Sequence, residues 1–205
     1  MTRPRFEPRE RLVLSIALIL IAVSLAGVGA FATFTSTASV SQSVTSGTVT
    51  IGLGDTGTAD NRLDVAATGV VPGDTIQRAV KVSNTGNQDF ASISLTTTAT
   101  TSSLLDTDAT NGLQMVIERC SVAWTESGSA PAYTYSCSGT TSTVVSSRAI
   151  IGAGVTFANV LLTAGSTNHL RVTVSLPSTA GNSLQGLTSV ISYAFTGTQR
   201  AATSR

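Results

Sequence analysis

The stretch Leu187-Thr188-Ser189-Val190-Ile191-Ser192-Tyr193-Ala194-Phe195-Thr196-Gly197-Thr198-Gln199 carries the pattern that decides the fold. Leu187, Ile191, Tyr193 and Phe195 all share odd parity, with Ser192, Ala194 and Thr196 between them. A period of two is the mark of a pleated strand with one buried face. The same alternation recurs upstream in Leu170, Val172, Val174 and Leu176, and again in Ile76, Val80 and Val82, with Arg78 among the latter. Shorter runs are Ala91-Ile93-Leu95, Leu113-Met115-Ile117, Val144-Val145, Val155-Phe157, Val160-Leu162 and a segment around Leu63 and Val65. No long stretch after residue 32 has helical period; a single helical turn is expected at Leu104-Leu105, inside a Thr/Asp-rich loop from Thr96 to Gly112.

Turn chemistry separates these runs. Pro72-Gly73-Asp74 presets one φ with proline and supplies a positive φ with glycine. Asn84-Thr85-Gly86-Asn87 and Gly54-Asp55-Thr56-Gly57 are similar clusters. Many short strands broken by such turns predict an all-β chain, a jelly-roll-like antiparallel β-sandwich. Thr and Val, abundant throughout, suit half-buried pleated surfaces.

The first residues follow other rules. Arg3, Arg5, Arg9 and Arg11 precede an apolar run from Leu12 to Leu25, and small residues end it at Ala30-Phe31-Ala32. A positive flank, an apolar core and an A-x-A site make a secretory signal peptide. Residues 1–32 are therefore expected to be the signal, with Ala30 and Ala32 entering the signal peptidase and Thr33 becoming the new N-terminus. The alternative is an uncleaved anchor, since residues 12–32 are long enough to span a bilayer. Loss of four arginines and the acids Glu7 and Glu10 takes the formal net charge from +1 to −1. No basic stripe then remains for nucleic acid, and no polybasic patch for a membrane surface.

Between Arg11 and Asp55 there is no charge. Phe34, Ala38, Val40 and Val44 sit on even positions; after Ser46-Gly47, Val49, Ile51 and Leu53 sit on odd ones. The parity switch marks a turn or bulge at Gly47. Residues 33–47 thus form a separate N-terminal strand, 48–200 the sandwich, and 201–205 a tail. Cys120 and Cys137 both lie in the exported part, where an isolated pair is expected to form a disulfide bracing a hairpin within 113–145.

Taken together these motifs resemble the TasA/camelysin group of exported bacterial proteins, which supply biofilm matrix fibres or surface proteins. Gly29-Ala30-Phe31-Ala32-Thr33-Phe34 is similar to their cleavage region, Val71-Pro72-Gly73-Asp74 followed by Val82-Ser83-Asn84-Thr85-Gly86 to their central pattern, and Asn182, Gln185-Gly186, Tyr193-Ala194-Phe195 and Gln199 to their C-terminal one. The resemblance implies a jelly-roll sandwich and a structural role. In family fibres the N-terminal strand of one subunit completes the sandwich of the next. Phe34, Val40 and Val44 would then be the buried side of an assembly strand, and Pro72, Gly73, Asp74, Asn84 and Gly86 structural turn residues. The expected partners are signal peptidase, further copies of the chain, and cell-wall or matrix components.

Camelysin members are described as metalloendopeptidases, so an enzyme is the first alternative. The chain has one histidine, His169, and no H-E-x-x-H, whereas zinc proteases of that design pair two His with a glutamate base. No metal, cofactor or catalytic residue is expected. Asp55-Thr56-Gly57 lacks the second aspartate that an acid protease needs. Leu176-Pro177-Ser178-Thr179-Ala180 resembles a sortase signal without the hydrophobic stop and basic tail. Asp106, Asp108, Asn111 and Glu118 lack the spacing of a calcium loop. Trp124, Tyr133 and Tyr135 would serve a second alternative, a monomeric adhesive or carbohydrate-binding module, but packing around the disulfide accounts for them. Thiol titration of the unreduced, unfolded exported protein should find no free cysteine; two free thiols would refute the bridge.

Overall fold

The computed structural model describes residues 46–203, and they form an antiparallel sandwich with hardly any helix. Ten strands follow in order: β1 (Ile51–Leu53), β2 (Thr75–Asn84), β3 (Phe90–Thr101), β4 (Gln114–Cys120), β5 (Thr125–Ser129), β6 (Ala132–Ser136), β7 (Thr141–Ala149), β8 (Gly152–Thr156), β9 (Thr167–Ser175) and β10 (Val190–Gln199). One sheet has five strands in the order β1-β2-β9-β4-β7; the facing sheet has three, β10-β3-β8; β5 and β6 form a separate hairpin. The expected signal sequence, the expected cleavage site at Ala30, Ala32 and Thr33, and the expected strand with Phe34, Val40 and Val44 fall outside the described residues.

The core follows from the alternation read in the sequence. Val80 and Val82 of β2, Leu170, Val172 and Val174 of β9, and Met115 and Ile117 of β4 present one face; Ile93 and Leu95 of β3 meet it from the other sheet, with Phe90, Ile150 and Phe157. The pairing register keeps these faces aligned: Met115 lies opposite Val174, Ile117 opposite Val172, and Val80 opposite Leu170. A slip by one residue on any of these strands would turn its apolar side outward.

The turns hold as expected. Asp74 N–H donates to the Val71 carbonyl at 3.0 Å, and the Asp74 carboxylate accepts from Val71 N–H at 2.9 Å. Gly73 sits at φ +97°, a conformation costly for other residues. Asn84, 2% exposed, organises the β2–β3 turn: its amide donates to the carbonyls of Gln88 (2.8 Å) and Leu162 (3.3 Å), and its oxygen accepts from Gly86 N–H (3.0 Å). Gly86 is needed because a Cβ there would lie 2.2 Å from the Thr48 carbonyl oxygen.

Three expectations are corrected. The segment around Leu63 and Val65 is not a strand: Arg62 N–H bonds the Ala79 carbonyl and Asn61 makes a single bridge to Val80, after which the chain turns. Val160-Leu162 is likewise a loop, because its polar groups are taken by Asn168, which bonds both the amide and the carbonyl of Leu161. Leu187 lies before β10 and is 38% exposed, not part of its buried face. The helical turn expected at Leu104-Leu105 is present as Leu104–Thr107, fixed by a capping box between Ser103 and Asp106, and β3 runs on to Thr101 before it.

Asn84→Ala should leave the Gln88 carbonyl and the Gly86 amide without this partner, while the Leu162 carbonyl keeps Phe90 N–H, and cost about 2 kcal/mol, each such group being worth roughly 1–3. Thermal melting of the folded protein would show this as a drop of about 4–8 °C, at roughly 2–4 °C per kcal/mol for a domain of this size.

Candidate functional site

The two sheets are unequal in width, five strands against three. Among the described residues β10 pairs only with β3, from Ile191 opposite Ala99 to Gln199 opposite Phe90, so its second edge offers unpaired main-chain groups. Inward residues on β3 are sealed, with Ile93, Leu95 and Thr97 no more than 1% exposed. Their counterparts on β10, Ile191, Tyr193 and Phe195, are less completely buried, though packed against the core. In the opposite sheet Leu53 on β1 pairs with Val82 and shares its inward face; Val82 is 0% exposed and Leu53 45%. β10 comes close to β1 on this side but leaves Leu53 uncovered. Val49, Ile51, Leu63 and Ile76 complete this half-covered apolar side. Within it the Tyr193 phenol is pushed up to about 12 by burial.

The other side of the sandwich is closed. Ala158 N–H donates to the Val144 carbonyl at 3.0 Å and the Asn159 amide to the Thr143 carbonyl at 2.8 Å, so the chain after β8 covers the edge of β7. Phe157 is buried there and meets Phe195 edge-on at 6.0 Å.

The outer face of the larger sheet carries the hairpin β5–β6, stapled by the Cys120–Cys137 disulfide. Trp124 donates through Nε1 to the His169 carbonyl at 3.0 Å, and the Arg171 guanidinium lies 4.4 Å from its ring centre. Arg171 also pairs with Glu118 and donates to the Tyr135 carbonyl at 3.1 Å. Arg62 grips Glu126 with two bonds of 2.7 and 3.1 Å, and the Tyr135 hydroxyl donates to the same carboxylate at 2.8 Å. Arg62 and Arg78 both approach the Tyr133 ring, at 4.7 and 5.8 Å. Arg78, 5% exposed, donates to four carbonyls, of Val65, Ala66, Gln77 and Pro131, and burial pulls its guanidinium below the ordinary value. The three aromatic residues are thus engaged by neighbouring arginines and carbonyls. Sequence reasoning grouped the aromatics with the disulfide but missed the arginines that hold them; Arg62, Arg78 and Arg171 are spaced too widely for a local signal.

A zinc site does not fit the residues present. His169 on β9 stands opposite Lys81 on one neighbouring strand and Cys120 on the other. Cys120 is oxidised in the disulfide. Burial lowers the imidazole pKa; Asp60 counters this, while Lys81 and Arg119 lower it further. A divalent cation would meet two like charges, one nitrogen and the Asp60 carboxylate, already paired with Lys81, where a catalytic zinc takes three protein ligands. Among the described residues no three His, Cys, Asp or Glu side chains gather closely enough to hold a metal. The other motifs are structural. Asp55 begins a turn whose carbonyl accepts from Thr58, Pro177 begins another closed by Ala180, and the Asp108 carboxylate accepts from the amides of Thr110 and Asn111. Asp106 is buried, which alone would raise its pKa, but bonds from Ser189, the Ser103 amide and Ser102 hold it low and tie the short helix to the start of β10.

A charge-poor antiparallel sandwich, with an open edge on one side and a stapled hairpin on its outer face, is the class of protein these features define. The family model described as camelysin metallo-endopeptidase matches residues 9–204, and the chain belongs to that family. Membership fits a secreted or cell-surface protein. No curated protein matches the chain. Among solved structures the chain is similar to a protein described by the words "AvmM Catalyzes Macrocyclization in Alchivemycin A Biosynthesis", at 9% identity and a TM-score of 0.30, over 76% of this chain and 91% of that one.

The Arg62 hydrogen bonds and the Tyr135 hydroxyl hold the Glu126 carboxyl below its ordinary range, partly opposed by burial. Its contribution to stability is therefore full above the unfolded value of about 4.3 and is lost as pH falls through the lower folded value. Melting temperature followed from pH 7 downward should show Glu126→Gln less stable than the parent near neutrality, with the gap closing in acid; a gap independent of pH would remove the ion pair from the account.

Proposed function

We propose that the chain is a secreted structural subunit of an extracellular matrix or cell surface, assembling into fibres by exchange of its N-terminal strand. The observation that carries this reading is the half-covered side of the sandwich, where Leu53 faces inward yet is 45% exposed and β10 has an edge unpaired among the described residues. The occupant we assign is residues 33–44 of another copy. That segment is uncharged, rich in β-branched residues, and apolar on every even position from Phe34 to Val44 save those held by Ser36 and Gln42. Laid along β10 it would pair the free main-chain groups and bury Phe34, Val40 and Val44 against Tyr193, Phe195 and Leu53. Each buried Phe or Val stabilises by roughly 1.5–3 kcal/mol. The contact joins two different surfaces and does not close on itself, so it produces filaments. Uncharged edges of this kind are what monomeric β-proteins avoid.

Light scattering and electron microscopy on the chain from Thr33 to Arg205, beside one starting at Ser46, test the reading. Filaments are expected from the longer chain alone. Two equally monomeric, folded proteins would sink strand exchange.

A further inference from the structure

The Cys120–Cys137 disulfide closes a loop that holds the whole of β5 and β6, and its two sulfurs stand in different surroundings. Cys120 is the last residue of β4 and is 0% exposed. It is paired on both sides, with Thr141 of β7 and His169 of β9. Cys137 lies one residue beyond β6 and is partly exposed, and its neighbours Ser136, Ser138 and Gly139 are exposed. None of these neighbours is bulky or charged. The sulfur open to an outside thiol is therefore that of Cys137.

The bridge is not alone in keeping the hairpin in place. Trp124, Glu126, Pro131 and Tyr135, all inside the loop, are each bonded to the sheet or to Arg62 outside it. The pairing of β4 with β7 also continues past Cys120: Ser121 N–H donates to the Thr140 carbonyl and Thr140 N–H to the Ser121 hydroxyl, both at 2.9 Å. These contacts fix the two chain segments that carry the sulfurs without using the S–S bond. Opening that bond in the folded protein leaves the two thiols side by side.

We propose that Cys120 and Cys137 form an exchangeable redox couple: Cys137 takes the attack of an outside dithiol, Cys120 is the resolving thiol, and the hairpin stays seated throughout. In the first step a thiolate of the dithiol attacks Cys137 Sγ. A mixed disulfide forms, the Cys120–Cys137 bond breaks, and Cys120 leaves as a thiolate and is protonated. The second sulfur of the dithiol then closes on the first and releases the Cys137 thiolate, which is protonated in turn. Two electrons pass to the cysteines, the dithiol ends as a disulfide, and its two protons end on Cys120 and Cys137. Exchange of this kind goes through a mixed disulfide and depends on access to the attacked sulfur. With a monothiol the first step stands alone, and Cys120, held beside the mixed disulfide, expels the monothiol and restores the bridge. None of this depends on strand exchange.

The test is reduction of the folded chain from Thr33 to Arg205 by dithiothreitol without denaturant. Samples are alkylated at intervals and read by mass spectrometry, while the emission of Trp124, the single tryptophan, is recorded. Two thiols should appear with the emission unchanged, Cys137 should be alkylated ahead of Cys120, and removal of the reductant should restore the bridge. Glutathione disulfide then separates the two sulfurs in variants that leave one thiol each. Cys120→Ser should gain one glutathione on Cys137, and Cys137→Ser should react about tenfold more slowly, because exchange follows access to the sulfur. Reduction only in denaturant, loss of the Trp124 emission as the bridge opens, or equal reactivity of the two thiols in the reduced parent would each overturn the couple.

Discussion

An apolar face longer than its cover governs this sandwich. Five strands stand against three, and although β10 comes close to β1, Leu53 is left 45% exposed. Leu53 shows the consequence most directly. It shares a register position with Val82, which is fully buried, yet nearly half of its own surface stays in water. Tyr193 and Phe195 repeat the contrast with Thr97 and Leu95 in the smaller sheet. A side chain the size of leucine loses roughly 1.5–3 kcal/mol of burial when left exposed. The opposite side shows that this chain can close an edge, since Ala158 and Asn159 reach over β7 with main-chain and side-chain bonds. The open side thus stands against a closed one in the same domain.

Charge is scarce after residue 32, and three of the arginines converge on the outer hairpin. Arg62, Arg78 and Arg171 each serve more than one partner there: an aromatic ring, a carboxylate or a set of carbonyls. Arg78 is the extreme case, a buried cation answered by carbonyl oxygens, which a guanidinium with five donors can use where an ammonium could not. The disulfide adds a constraint on the unfolded chain worth roughly 3 kcal/mol for a loop of this length. These bonds fix the hairpin on the sheet and at the same time occupy the aromatic faces that a sugar would need. Separately, Lys81 and Arg119 stand near His169, and among the described residues no set of metal ligands gathers there.

Most of the fold was legible because period-two alternation and turn chemistry are local. Ile76 to Val82, Leu170 to Val174 and Ile191 to Phe195 all became strands, and Pro72-Gly73-Asp74 and Asn84 to Gly86 became the turns between them. The failures share a cause. Leu63, Val65, Val160 and Leu162 alternate like strands, but distant groups took their main chain: Ala79 for the first segment, Asn168 for the second. Alternation reports which side chains are apolar, not which backbone partner wins. The open side was legible only in part. An uncharged segment before Gly47 pointed to an exposed strand, but the exposure of Leu53 depends on how the two sheets overlap, which no local pattern encodes.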